Sequence, residues 1–491
     1  MTARRVLPQL PPLGMRVELA ESVIRCAGGE VLFDTASGTQ VRLRPRAMQL
    51  LAERRDLVVD DRAGARLARS LLDHGLADPV WGDEPGAVPS DVTVVIPVRD
   101  RAEQVRRLIA TLPPQVPVII VDDGSRDPSA LVALGRPVLR HEQSRGPAAA
   151  RNTGLAHVAT EYVCFIDSDI VVEHGTLTRL RREFLDPAVA VAGPRILGLP
   201  LSPGAGSVAH YEAARSSLDL GSRPGRVAPA TRVSYLPSAV LMARVAALGG
   251  GFDETMHVAE DVDLVWRVVA GGWSVRYVPQ CSVRHDHRVE AMAWLERKAF
   301  YGTGAEQLAR RHGDLVAPLR LDPLCATAVG ALVAQRCWSV PVAVVAAVAH
   351  LGLMAARTPS PQRRLTTGAN LTAMTLVATG WQLAAAATRH HWPLAAGAAL
   401  VSRRARRGIV VAALAEGITD YRRVRPDLDP ATYLLLHRAD DLAYGLGVWA
   451  GALRGRSIRA LLPVWTRPWR RGQASPTKTP QKEKTHGTQV V

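Results

Sequence analysis

Short alternating runs of apolar and polar positions fill residues 15–45, broken at Gly28-Gly29 and Ser37-Gly38, a pattern that predicts two or three short antiparallel strands. Helical spacing follows, with Met48, Leu50 and Leu51 and then Leu67, Leu71 and Leu72 on one face, ending at Gly75. A small β-then-α module over 1–85 is expected, closed by a Gly- and Pro-rich linker at 81–90. From Asp91 the period changes. Residues 92–97 form a near-continuous apolar run, as in a strand buried on both faces of a parallel sheet. Val105, Leu108, Ile109 and Leu112 mark one helix face, 118–121 a second strand, Gly146-Pro147 the start of another helix, and 162–166 a third strand. Such repetition predicts an open α/β sheet over 86–320, with its site at the carboxyl ends of the strands.

Beyond 320 the apolar runs lengthen. Residues 338–356 are interrupted only by Pro341 and His350 and are long enough to cross a bilayer as a helix. Residues 370–387 are a second, more polar candidate, whereas 394–401 and 409–415 are too short to cross and are separated by Arg403-Arg404-Ala405-Arg406-Arg407. A helical, membrane-associated region is therefore expected over 321–465, either spanning or lying on the membrane, with a buried helical bundle as the alternative. Residues 466–491 are polar and basic and are expected to be disordered.

Charge sharpens this division. Of a net +16, almost all belongs to residues 323–491, which hold 22 Lys and Arg against 7 Asp and Glu. Basic charge coinciding with long apolar runs favours an anionic membrane surface. Nucleic acid is excluded, because neither interleaved stacking aromatics nor a recognisable binding motif is present. The five cysteines include no Cys-x-x-Cys pair and no zinc-ligand spacing, which fits free thiols in a reducing compartment. The first twelve residues lack an apolar signal core, so the catalytic part is expected at the cytoplasmic face.

Three acidic groups stand where the strand ends should be: Asp122-Asp123-Gly124-Ser125, Asp167-Ser168-Asp169 and Glu260-Asp261-Val262-Asp263. Singly, each has a plain reading as a turn or as a charge at a helix start. Together they offer a hard cation its oxygen ligands and a reaction its base. No Gly-x-Gly-x-x-Gly follows the first strand and no Walker lysine exists, which removes dehydrogenase and P-loop readings.

Val94-Val-Ile-Pro-Val98, Val121-Asp-Asp-Gly-Ser125, Ile166-Asp-Ser-Asp-Ile170 and Glu260-Asp-Val-Asp263 resemble the motifs of the family 2 glycosyltransferases, over 91–300. The resemblance implies a GT-A fold that binds a nucleotide-sugar donor with a divalent metal, Mn2+ or Mg2+. It places Asp123 at the base, Asp167 at the ribose, Asp169 at the metal, and Asp261 as the general base of an inverting transfer. Pro97, Arg99, Asp122, Arg151 and Ser168 complete the implied donor set, and Glu260 and Asp263 flank the acceptor loop. His285, preferred to His287, is the implied second metal ligand; a strand-capping histidine or one paired with Asp286 is the alternative. The leaving nucleoside diphosphate gains negative charge that a carboxylate-held cation stabilises, and inversion needs one base and no covalent nucleophile.

A closer resemblance is to the glycosyltransferases of mycofactocin systems. It is carried by Arg145-Gly-Pro-Ala-Ala-Ala-Arg-Asn152, Tyr211-Glu-Ala-Ala-Arg-Ser-Ser-Leu-Asp-Leu-Gly221, Tyr235-Leu-Pro-Ser238, and Val283-Arg-His-Asp-His-Arg288 with Ala299-Phe-Tyr-Gly-Thr303. It implies transfer of glucose from UDP-glucose to a peptide-derived redox cofactor precursor, building a short β-linked chain. The N-terminal stretch resembles winged-helix-like, peptide-binding modules of the PqqD type. Gln-x-x-Arg-Trp, a mark of processive synthases, is absent, which argues against processive polymerisation. The alternatives are a nucleotidyltransferase acting on a sugar phosphate, and a non-catalytic membrane scaffold that binds a precursor peptide.

Overall fold

The computed structural model describes residues 9–37, 39–82, 86–286, 290–358 and 364–466. His287 and the tail expected from 466 onward, apart from Thr466 itself, lie outside the described residues. Near the N-terminus there are more strands than the alternation predicts. Arg16–Leu19 pairs antiparallel with both Asp56–Val58 and Ala77–Val80, while Val23–Cys26, Val31–Asp34 and Gln40–Arg42 form a second antiparallel sheet. The extra strands are three or four residues long, too short for a period of two to show. Helices Pro45–Leu51 and Arg62–Asp73 cover them, the second capped by Asp61, which accepts from Gly64 N at 2.6 Å. Val17, Leu19, Leu51, Leu71, Leu72 and Leu76 close a separate core.

This N-terminal unit is clamped to the sheet domain behind it. The Arg69 guanidinium donates to both oxygens of Asp186 at 3.0 and 2.9 Å, both side chains being buried, and Trp81 Nε1 donates to Glu183 at 2.8 Å. A buried charge pair loses more when one member is removed than it contributes as a pair, and without Asp186 the buried Arg69 would keep, among the described residues, only the half-exposed Asp73, at 3.2 Å. Asp186→Ala is therefore expected to lower the unfolding midpoint more than the double change Arg69→Met with Asp186→Leu, as read by denaturant titration.

The central sheet is built from β1 (Val92–Val98), β2 (Val118–Asp123), β3 (Val138–His141), β4 (Tyr162–Ile166), β5 (Ile170–Val172), β6 (Val189–Gly198), β7 (Val240–Arg244) and β8 (Ser274–His285), in the order β5-β8-β6-β7-β4-β1-β2-β3. β4, β1, β2 and β3 are parallel, and β7 runs antiparallel to both β4 and β6. The apolar runs at 92–97, 118–121 and 162–166 become buried strands, as expected of a sheet covered on both faces. Helix α1 (Ala102–Thr111) packs on one face and α2 (Pro147–Leu155) on the other. α2 can lie flat because of Gly154: a Cβ there would meet Val95 Cγ1 at 2.3 Å. Gly154→Val is expected to cost about 1–3 kcal/mol by overpacking, read as a lower unfolding midpoint.

Further on come α3 (Ser207–Arg215), α4 (Glu260–Ala270) and α5 (Ala291–His312), then six helices: α6 (Pro323–Ala334), α7 (Ser339–Arg357), α8 (Arg364–Arg389), α9 (Trp392–Val401), α10 (Arg403–Val424) and α11 (Pro430–Arg454). α11 returns to lie along α5 at backbone contact. A Cβ on Gly447 would stand 1.8 Å from the Ala299 carbonyl oxygen, and one on Gly302 2.2 Å from that of Tyr444. Beside this seam runs a buried polar network: Lys298 reaches Glu212 at 2.7 Å and Asp440 at 3.5 Å, and Trp294 Nε1 donates to Glu212 at 2.8 Å.

Among the described residues, α7 alone is long and apolar enough to cross a membrane. The run at 370–387 lies inside the longer α8, and the one at 409–415 inside α10. The Arg403–407 cluster lies between the runs 394–401 and 409–415 and opens α10, whose N-cap Ser402 accepts from Ala405 N. Arginine is a good helix former, so its charge interrupts hydropathy without interrupting the helix.

Candidate active site

A cavity of about 870 Å³ opens at the carboxyl ends of β1, β2 and β4. Pro97, Arg99, Asp123, Arg151, Asp167, Ser168, Asp169, Glu260, Asp261 and His285 all line it. Residues more than 160 positions apart in the chain thus meet in one space.

Asp122 and Asp263, expected in the site, stand apart from it. The Asp122 carboxylate is fully buried and closes the turn after β2, accepting from Ser125 N at 2.9 Å and from Arg140. That leaves Asp123 alone of the pair facing the cavity. Asp263 is buried against α5, accepting from Arg267 at 2.7 Å and bonded to His312 at 2.9 Å. These partners hold its carboxyl down at about 2 against the opposing effect of burial. It locks α4 to the end of α5, whereas a role at the acceptor loop was expected.

Asp123 organises the loop that follows β3. Its oxygens accept from Arg145 N and Gly146 N at 2.8 and 2.9 Å and from Ser144 Oγ at 2.7 Å, and bond to His141 Nδ1 at 2.8 Å. These hydrogen bonds hold the carboxyl below its ordinary value despite burial. The tight turn needs Gly124: its φ is +76°, and a Cβ would meet Ser144 N at 2.8 Å.

Arg151, expected among the donor-binding residues, is a buried strut from α2. Its guanidinium donates to Asp167 at 2.7 Å and to Glu260 at 3.1 Å, with 4% of the side chain exposed. It thereby ties the end of β4 to the start of α4. The two carboxylates keep it charged in spite of burial.

Asp169 and His285 are brought together by strand register. Ile170 of β5 pairs with His285 of β8, which leaves Asp169 Oδ1 3.5 Å from His285 Nε2, while Arg101 holds Asp169 Oδ2. One carboxylate oxygen and one imidazole nitrogen at this separation, facing one cavity, fit two ligands of a single divalent cation of the manganese type.

Asp261 is the second residue of α4, preceded by Ala259 in the left-handed conformation (φ 63°). Its carboxylate accepts from Ser238 N at 3.1 Å and Val262 N at 2.8 Å. A helix start should lower a carboxyl pKa. Burial and the adjacent Glu260 charge outweigh that effect and push Asp261 up to about 7. A carboxylate poised near neutrality suits proton abstraction.

The reading of the acidic motifs missed Arg101, and it missed the side chains that close the cavity beyond Asp261: Tyr235, Tyr301, Arg389, His390 and Tyr444. Tyr235 and Tyr301 lie in segments conspicuous for their likeness to mycofactocin glycosyltransferases. Nothing in the sequence draws Arg389, His390 or Tyr444 toward the site, because helix packing alone brings them there.

Residues 93–202 match the family described as glycosyl transferase family 2, and residues 162–395 the one described as glycosyl transferase family group 2. The chain is 42% identical to the pre-mycofactocin glycosyltransferase of Mycobacterium tuberculosis over 94% of its own length and 99% of that protein's. It is 28% identical to the succinoglycan biosynthesis protein ExoU of Rhizobium meliloti, over 40% of this chain and 61% of that one. Among solved structures, a mannosyltransferase of Pyrobaculum calidifontis in complex with GDP-Man and Mn2+ is similar at 20% identity, covering 68% of this chain and 88% of that one, with a TM-score of 0.36.

Proposed function

We propose a specific reaction from the premise that this chain belongs to the family 2 glycosyltransferases, and within them to the pre-mycofactocin glycosyltransferases: inverting transfer of glucose from UDP-glucose to a hydroxyl of a peptide-derived cofactor precursor. Membership of the family makes the chain an enzyme of glycosyl transfer and sets aside the nucleotidyltransferase and scaffold alternatives. The observation that supports a metal-assisted, inverting transfer is the arrangement in one cavity of Asp169 with His285 and, across the Arg151 strut, Asp261, while the acceptor follows the likeness to the pre-mycofactocin glycosyltransferase.

Asp123, Asp167 and Ser168 bind the nucleoside, and Pro97 and Arg99 line its entry. Asp169 and His285 hold a divalent metal, which supplies positive charge beside the leaving diphosphate. Arg151 keeps Asp167 and Glu260 at fixed separation, so that the donor and the base stay in register. Asp261 takes the proton of the acceptor hydroxyl as that oxygen attacks the anomeric carbon from the face opposite the leaving group. A single base and no covalent nucleophile give inversion. Addition is distributive, one sugar per encounter, building a short β-linked chain.

The N-terminal unit, on this reading, is a PqqD-like module that meets the peptide part of the acceptor. The apolar side chains that α7 leaves exposed, Val340, Val344, Val345 and Val348 among them, together with the arginines opening α10, support association with the anionic cytoplasmic face of the membrane. Sedimentation with vesicles is expected to need anionic lipid and to weaken as salt is raised.

The experiment is nucleoside-diphosphate release with manganese across a panel of UDP- and GDP-sugars, with and without precursor. Release specific to UDP-glucose and stimulated by acceptor is expected. Release from another donor alone overturns the choice of glucose.

A further inference from the structure

The root of the helical region holds a cluster that the transfer chemistry does not use. Asp322 caps α6, one of its oxygens accepting from Leu324 N at 3.0 Å and from Cys325 N at 3.1 Å. Cys325 lies in the first turn of α6, and His350 stands within the apolar run of α7. All three side chains are buried, and one ligand atom from each lies within 4.8 Å of the other two. None of the three lines the catalytic cavity. An ionisable side chain on so apolar a helix is costly unless something answers its charge.

The geometry is that of ligands. His350 Nδ1 is bonded to Thr372 Oγ1 of α8 at 2.9 Å, which turns Nε2 toward Asp322. A metal-binding imidazole is oriented in the same way, by a partner on its other nitrogen. Nε2 and Asp322 Oδ1 are 3.9 Å apart, too far for a hydrogen bond and about half an ångström wider than two tetrahedral ligands of one zinc ion. Among the described residues, no lysine or arginine forms an ion pair with Asp322; His350 is its one such partner. Burial and the Asp322 charge push the Cys325 thiol up to about 12, and a bound cation would expel that proton. Carboxylate, thiolate and neutral imidazole then carry two negative charges, which one divalent ion cancels, giving a neutral site among apolar helices. A second buried trio, Glu416, His437 and Asp441, has no such need: Arg438 pairs with both of its carboxylates, and Arg389 with Asp441 at 2.9 Å.

We infer that Asp322, Cys325 and His350 bind one zinc ion, a structural site separate from the cation of Asp169 and His285, which fastens α6 to α7 and, through Thr372, to α8. A thiolate among the ligands selects a borderline-soft ion over manganese or magnesium. No Cys-x-x-Cys spacing announces the site, because helix packing brings its ligands together.

The test uses the full chain in lipid, loaded with zinc and dialysed. Elemental analysis is expected to find about one zinc per chain, and cobalt in its place to give a thiolate charge-transfer band. Cys325→Ser and His350→Gln should lose both, with zinc below about a tenth of wild type. Asp169→Ala should keep both, as should Cys26→Ser combined with Cys337→Ser, which removes the two thiols that are not buried. If Cys325→Ser and His350→Gln fail to fold, Thr372→Val decides: zinc affinity roughly tenfold weaker supports the site, and unchanged affinity overturns it. The site is also overturned if the wild-type chain retains no zinc and shows no cobalt band, or if zinc survives both ligand changes. Loss of zinc in Asp169→Ala, or with Cys26 and Cys337, overturns it as well.

Discussion

Asp261→Asn is expected to lose transfer by about 10²–10⁴-fold in kcat while still binding the nucleotide sugar, because general-base catalysis contributes on that order. The amide is close in shape to the carboxyl and cannot accept the acceptor proton. In the wild-type chain kcat/KM should climb with pH through about 7, as the carboxyl that burial and Glu260 hold protonated becomes free to act. The asparagine variant should lack this limb. Stability moves the opposite way to activity. A carboxyl raised from 3.8 to about 7 binds its proton more tightly in the folded than in the unfolded chain, so the stability it contributes at low pH is lost as pH rises through 7. Asp261→Asn escapes that loss and should be at least as stable as wild type at pH 8, which separates lost chemistry from lost folding. Transfer at the wild-type rate would remove Asp261 as the base.

Asp169→Ala should be nearly as damaging. A metal that neutralises the leaving diphosphate contributes several kcal/mol to the transition state, so at least roughly a hundredfold loss of transfer is expected even at saturating manganese. Binding gives an independent reading: manganese affinity in the presence of UDP, followed by its paramagnetic resonance signal, should fall further in Asp169→Ala than in His285→Ala. Equal manganese affinity in wild type and Asp169→Ala would move the metal elsewhere. Arg101 holds the outer oxygen of Asp169, so Arg101→Gln should leave that oxygen freer and raise manganese affinity.

Much of this was legible in the chain, and the reasons are local. Strands β1, β2 and β4 were visible because burial on both faces makes their apolar runs continuous. Asp123, Asp169 and Asp261 were visible because each motif ends a strand or begins a helix, where a carboxylate can face a cavity. Asp122 and Asp263 were misplaced for a related reason: neighbours along a sequence are presented to different surroundings, and only the fold decides which one turns inward. The resemblance puts Arg151 in the donor set, but its role as a strut depends on two carboxylates 109 and 16 residues away, which no local motif reveals. Tyr444 and Arg389 reach the cavity through helix packing, which leaves no periodic mark near the catalytic motifs.

The backbone seam between α5 and α11 has a further consequence. The chain leaves the end of α5, makes its way through five helices, and returns along the helix it left, so that stretch is topologically a detour whose two ends are fastened together. Apart from the Arg389-His390 turn, the detour can change length, hydropathy and membrane habit over evolutionary time without shifting the cavity. Gly302 and Gly447 cannot drift in that way, since any side chain at either would collide with a carbonyl of the partner helix. A cut after 320 would not release a self-sufficient enzyme; it would strip α11 from its groove and remove one side of the cavity, whereas a graft replacing α6 and α7 between intact α5 and α11 should leave catalysis in place.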